Sequence, residues 1–157
     1  MPARVYLETT IFSYLTVRPS RDVVAAGHQQ VTRDWWEKKR QNYSLHISPV
    51  VLAEARKGDP VAARLRLDAI KGLSVLDVTE PARDLARFLI EVLAVPATAD
   101  ADALHIALAT VHGMEFLLTW NCTHIANASM RVPLSDACAK RGYSLPTICT
   151  PDELLED

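Results

Sequence analysis

The feature that most restricts what this chain can fold into is a recurring order of segments: a short apolar run, a stop at a polar or acidic cluster, then helical signals. Arg4-Val5-Tyr6-Leu7-Glu8 leads into Thr9-Thr10 and Ile11-Phe12-Ser13-Tyr14-Leu15. Ser44-Leu45-His46-Ile47-Ser48 leads into Pro49 and residues 50–56, the run at 73–78 into Thr79, and the run at 115–120 into Asn121-Cys122-Thr123-His124. Strands joined through helices pair in parallel, because a parallel pair needs a long crossover whereas an antiparallel pair closes through a tight turn. The expected fold is therefore α/β, a three-layer α/β/α sandwich around a central, mainly parallel sheet. Ligands in such sheets bind beyond the carboxyl ends of the strands, and Glu8 and Asn121 stand at two of those ends.

Local signals place the helices between these strands. Thr9-Thr10 offers an N-cap for a helix over 11–15, and a proline-free stretch from 21 to 43 carries Val24, Val31, Trp35 and Trp36. That stretch closes on Lys38-Lys39-Arg40, where positive charge complements a helix C-terminus. Ser48-Pro49 supplies an N-cap and a first-turn proline, Gly58 ends that helix, and Pro60 opens another that Gly72 stops. Thr79 caps a helix with Leu85, Phe88, Leu89, Val92 and Leu93 on one face, and Pro96 breaks it. Residues 100–112 predict the next helix, with Leu104, Ala107, Leu108 and Val111 as its buried stripe and Asp100 as a cap. A helix over 127–140, an edge strand within 143–149 and a helical turn over 151–156 complete the expectation.

A length of 157 residues suits one domain, 1–157, with a core large enough to fold without disulfides or a structural metal. The share of apolar residues, 49%, and of charged ones, 23%, is that of a globular chain. No apolar run approaches the roughly 18 residues of a membrane span, and Met1-Pro2-Ala3-Arg4 lacks a secretory leader, so the expected location is cytoplasmic with no membrane partner. Cys122, Cys138 and Cys149 are odd in number and widely spaced, which predicts reduced thiols. The net charge of −2 excludes a uniformly basic nucleic-acid binder but leaves room for a local basic rim at Lys38-Lys39-Arg40, Arg56-Lys57 and Arg64 with Arg66. Each of these groups also reads as ordinary solvated surface. Trp35 and Trp36 fit either the core or a contact with a second copy.

Glycine-rich nucleotide loops, a nucleophile elbow, HExxH and CxxC are all absent, which lowers the case for dinucleotide binding, P-loop chemistry, serine hydrolysis and zinc catalysis. What stands out is acidic residues in apolar surroundings. Glu8 ends an apolar strand, although it also reads as a charge favouring a helix N-terminus. Glu54 interrupts the apolar stretch 50–55, although a pair with Arg56 or Lys57 is an alternative. Asp100 and Asp102 are about 200° apart around their helix, so only one faces a given cleft; Asp102, on the face of Ile106 and next to the turn of His105, is the better candidate. Carboxylates gathered at strand ends suit a hard cation such as Mg²⁺ or Mn²⁺ beside a phosphate, where the ion neutralises developing charge and acidifies an attacking water. His105 is a secondary candidate, and Thr119, Asn121 and Thr123 are candidates for positioning water or phosphate at a strand end. Cys122 with His124 two residues on offers a thiol mechanism, but no further base supports it.

The order Val5-Tyr6-Leu7-Glu8-Thr9-Thr10, Ser48-Pro49-Val50-Val51-Leu52-Ala53-Glu54, Ala101-Asp102-Ala103-Leu104-His105-Ile106-Ala107 and Leu117-Leu118-Thr119-Trp120-Asn121 resembles the PIN-domain family, especially the small VapC-type toxins of bacteria. The resemblance spans about residues 3 to 150. It implies a parallel α/β/α sandwich and a Mg²⁺- or Mn²⁺-dependent endoribonuclease, often a homodimer and, for VapC-type members, the toxin partnered by an antitoxin. Carried over by position, Glu8 is the first acid, Glu54 the second, Asp102 the third and Asn121 the fourth, with Thr9 as the hydroxyl residue after the first acid. The resemblance makes Glu8, Glu54 and Asp102 the metal ligands and RNA the substrate. Two positions depart from the pattern: Glu8 stands where Asp is usual, and Asn121 where Asp is common. Those departures motivate an alternative expectation, a PIN-like module that binds RNA or a protein partner without cutting. Hydrolysis of small phosphate esters is a third reading.

Overall fold

The computed structural model describes residues 1–93 and 99–155, and the helix break expected at Pro96 and the last residue of the terminal turn lie outside them. Five strands form one sheet: β1 (Ala3–Leu7), β2 (Tyr43–Ile47), β3 (Ser74–Val75), β4 (Phe116–Leu118) and β5 (Thr147–Cys149). Their order is β3-β2-β1-β4-β5 and every pairing is parallel. The helices between them are α1 (Thr9–Thr16), α2 (Val23–Lys38), α3 (Pro49–Ala55), α4 (Pro60–Ile70), α5 (Glu80–Leu93), α6 (Asp100–Val111) and α7 (Ala128–Lys140). Helices α1 to α4 pack among themselves, as do α5, α6 and α7. Right-handed crossovers dictate that grouping, because the chain runs outward from β1 to β3 on one side of the sheet and then returns to build β4 and β5 on the other. The three-layer α/β/α expectation therefore holds.

The central strand is the most deeply covered. Val5, Tyr6 and Leu7 are inaccessible to solvent, as are Ile11, Phe12 and Trp35 from the first helical layer and Ala107 and Leu108 from the second. Helix α6 is buried from Ala103 to Thr110 except at the half-buried Leu104, the pattern of a helix enclosed on most sides rather than one with a single apolar stripe. Trp35 enters the core, while Trp36 is half-buried against Phe12 with the Arg40 guanidinium over its ring.

Several local expectations shift. The cap of α1 is Glu8 itself, whose side chain accepts from the Thr10 amide, so Thr9 and Thr10 lie inside the helix. Ala99 precedes α6 without a side-chain cap, and Asp100 sits in the first turn. Helix α2 ends at Lys38, with a 3-10 turn over Arg40–Asn42 leading to β2. β3, β4 and β5 are shorter than their apolar runs, since a strand extends only as far as a partner supplies hydrogen bonds. Val92 is 46% exposed rather than part of the α5 core face.

Candidate functional site

The strand order reverses direction at β1: β2 and β3 lie on one side, β4 and β5 on the other. A crevice opens at the carboxyl ends beside such a reversal, because the connections leave the two neighbouring strands on opposite faces. Glu8 follows β1 there, and its amide donates to the Leu118 carbonyl at the end of β4 (3.1 Å). Helix α3 starts immediately after β2 and carries Glu54; α6 crosses from the opposite layer and contributes Asp102 and His105.

Glu8 is 4% exposed, yet its Oε1 accepts from the Thr10 amide (3.2 Å), the Thr10 hydroxyl and the Thr119 hydroxyl (2.7 Å). Glu54 is half-buried. Its Oε1 accepts from the Thr9 hydroxyl (2.5 Å) and pairs with His105 Nε2 (2.6 Å). Burial opposes ionisation of Glu54, but the His105 hydrogen bond and charge, the Thr9 hydroxyl and the more distant Lys57 charge outweigh it and hold its pKa below the ordinary carboxylate value. Asp102 behaves in the opposite way. Burial pushes its carboxyl up, only partly offset by His105 and by the Asn121 amide, which donates to Oδ1 at 3.1 Å. His105 is inaccessible to solvent, and its second ring nitrogen, Nδ1, lies 2.6 Å from the Tyr6 hydroxyl, itself 2.8 Å from Ser48 Oγ.

One ligand-type atom from each of Glu8, Glu54 and His105 lies within 4.8 Å of the others. Asp102 stands outside that group and meets it through the Coulombic influence of Glu54 and His105. The donor set fits a hard divalent cation. Two carboxylates come close together, the hydrogen bonds to each fall on a single oxygen, and among the described residues no Lys or Arg forms an ion pair with either. Cys122 is exposed, and Cys138 and Cys149 are buried and unpaired.

The sequence-predicted residues are not all disposed as expected. Thr119 is buried and serves the protein: its hydroxyl donates to Glu8 and accepts from the Asn121 amide N–H (2.9 Å). The side-chain carbonyl of Asn121 does not face the carboxylates; it accepts from the His124 backbone (3.1 Å) while the amide points at Asp102. Of the basic groups, Arg66 donates to the Ala55 and Lys57 carbonyls (3.2 and 2.6 Å) and Lys38 pairs with Asp34. Two parts of the site escaped the sequence reading. Tyr6 is one, because in an apolar strand a tyrosine and a phenylalanine give the same pattern. The other is an aromatic group beside β4, in which Trp120 stacks on His28 (4.0 Å between centroids, 14°) with Tyr14 at 5.9 Å. Thr10 ties that group to the carboxylates: its hydroxyl accepts from the Trp120 backbone amide (2.8 Å) and donates to Glu8.

No family model matches the sequence, and no curated protein does either. Solved structures do match. VapBC2 from Rickettsia felis, bound to a DNA fragment from its promoter, superposes with a TM-score of 0.60 at 17% identity, covering 93% of this chain and 97% of that one. VapC20 of Mycobacterium tuberculosis, a toxin that cleaves the sarcin–ricin loop, superposes with a TM-score of 0.58 at 16% identity, covering 76% of this chain and 92% of its own. With the all-parallel sheet and the reversal at β1, these likenesses establish that the chain has a VapC-type PIN-domain fold.

Proposed function

We propose that this chain is a metal-dependent endoribonuclease, acting in the cytoplasm as one domain, in which Glu8, Glu54 and Asp102 hold Mg²⁺ or Mn²⁺ against an RNA phosphodiester. The observation that carries the reading is the approach of Glu8 and Glu54 at the strand reversal, with Asp102 beside them and no Lys or Arg in an ion pair with either glutamate among the described residues. A divalent ion held there supplies neutralisation of phosphate charge and acidification of water. The chain's own residues do the rest. Thr9, Thr10 and Thr119 hold the two glutamates in place by donating to them, and Asn121 orients Asp102.

The toxin and the toxin–antitoxin pair named for the two solved structures support a toxin role here with an antitoxin protein as partner; a homodimer is the working assembly of this reading. Incubating the purified protein with single-stranded RNA and Mg²⁺ or Mn²⁺ tests the assignment. Cleavage is expected and should fall by about a hundredfold or more in Asp102→Ala; undiminished cleavage by that variant removes Asp102 from the site. A second reading, an RNA- or protein-binding module that does not cut, draws on the Asn121 amide occupying the Asp102 oxygen. RNA binding that is indifferent to divalent metal, with no cleavage, selects it.

A further inference from the structure

We propose that Tyr6 and His105 are positioning residues that orient Glu54, and that His105, although it lies within liganding distance of the carboxylates, is not a metal ligand. The inference rests on the metal-dependent reading above and assigns the part of that site which the carboxylates do not explain.

The argument is one of hydrogen-bond direction. An ionised carboxylate only accepts, so the proton in the 2.6 Å contact between His105 Nε2 and Glu54 Oε1 belongs to the ring. In the neutral imidazole Nδ1 then carries a lone pair, and the Tyr6 hydroxyl 2.6 Å away donates to it. The Tyr6 oxygen is left to accept from the Ser48 hydroxyl at 2.8 Å, and the Ser48 oxygen accepts from the Val50 amide at 3.2 Å. With the ring neutral, every proton from Val50 to Glu54 has one donor and one acceptor and all run in the same direction; in the charged ring Nδ1–H donates to the Tyr6 oxygen instead, and both nitrogens stay engaged.

Both ring nitrogens of His105 are therefore occupied, and neither lone pair is available to a cation. The ring is inaccessible to solvent and packs edge-on to Tyr6, with centroids 5.7 Å apart, which fixes its plane. Glu54 is held by His105 and Thr9 through Oε1 alone. The consequence is an all-oxygen ligand set, which suits hard Mg²⁺ or Mn²⁺, rather than the mixed nitrogen–oxygen set that favours softer ions. Residues one bond removed from a metal ligand commonly govern its affinity by about 10- to 100-fold.

The test uses the full chain with Mn²⁺ as probe. Calorimetry is expected to show Tyr6→Phe binding Mn²⁺ about tenfold more weakly than wild type. His105→Leu is expected to lose about a hundredfold, and His105→Gln, which keeps an N–H toward Glu54, to recover much of that loss. Pulsed electron paramagnetic resonance of wild-type protein with Mn²⁺ bound is expected to show no directly coordinated nitrogen. Strong nitrogen coupling, or wild-type affinity in Tyr6→Phe, overturns the proposal. Absence of Mn²⁺ binding by the wild type overturns instead the metal-dependent reading on which it rests, and is recognised before any variant is made. If His105→Leu fails to fold, the wild-type spectrum and the isosteric Tyr6→Phe still decide.

Discussion

Glu8, Glu54 and Asp102 each direct one oxygen into hydrogen bonds from neighbouring residues, and these bonds, rather than ion pairs with Lys or Arg, stabilise carboxylates that stand close together. Asn121 illustrates the balance. Asn121→Asp would replace the donor at 3.1 Å from Asp102 with a second anion, leaving an unsatisfied and repelled oxygen. The metal-free variant should lose about 1–3 kcal/mol of stability, and Mn²⁺ should restore more of it than Mn²⁺ adds to wild type. Urea denaturation with and without Mn²⁺ measures both, and an equal deficit under the two conditions would contradict the expectation. The three acids were legible in the sequence because a carboxylate in an apolar stretch is conspicuous. The role of Asn121 was not, since which end of an amide faces a neighbour is decided by contacts 19 residues away.

Among the elements, α3 matters most to the site and is the shortest helix in the first layer, Pro49–Ala55. Its start is fixed by Ser48, which caps Val50 and contacts Tyr6, and its end by Arg66 of α4, which donates to the Ala55 carbonyl. Removing the cap should be felt at both places. Ser48→Ala is expected to cost about 1–2 kcal/mol in urea denaturation and to weaken Mn²⁺ binding in parallel; a stability loss with unchanged Mn²⁺ affinity would detach the cap from the site. Signals of this kind are local, which is why Ser48, Pro49, Gly58 and Pro60 located the helices correctly from sequence. Strand lengths were less legible. Residues 73–78 look like one apolar strand, but β3 pairs only through Ser74 and Val75, because β2 offers it no longer an edge.

At the level of the whole molecule, strand order was the hidden variable. Sequence periodicity gives strands and helices, whereas the placement of β1 between β2 and β4 arises from pairings made across more than a hundred residues, such as Leu7 with Leu118. The same enclosure that builds the site sets the response to alkali. Burial, with Glu153 adding to it, pushes the Cys149 thiol up to about 12, and burial also raises Cys138 and Tyr6. In the unfolded chain thiols titrate near pH 8.5 and tyrosine near 10. Above about pH 8.5 the unfolded state therefore binds fewer protons than the native one, and unfolding free energy falls with rising pH. Stability should be fully retained below pH 8 and should decline progressively toward pH 12, as followed by urea midpoints; a flat profile over that interval would place the thiols in contact with water.

The aromatic group beside β4 gives the molecule an optical readout. Trp120 lies between Thr119 and Asn121, its amide held by the same Thr10 hydroxyl that donates to Glu8, while its indole N–H is anchored on Thr32 at 2.8 Å and its ring is stacked on His28. A cation held by Glu8 would change the charge on the carboxylate that accepts from Thr10, and the same Thr10 hydroxyl holds the backbone on which this indole sits. Replacing Trp36 and Trp35 by phenylalanine leaves Trp120 as the sole emitter among the chain's 3 tryptophans, so that Mg²⁺ titrated into the protein is expected to register as a change in its emission, without RNA and without turnover.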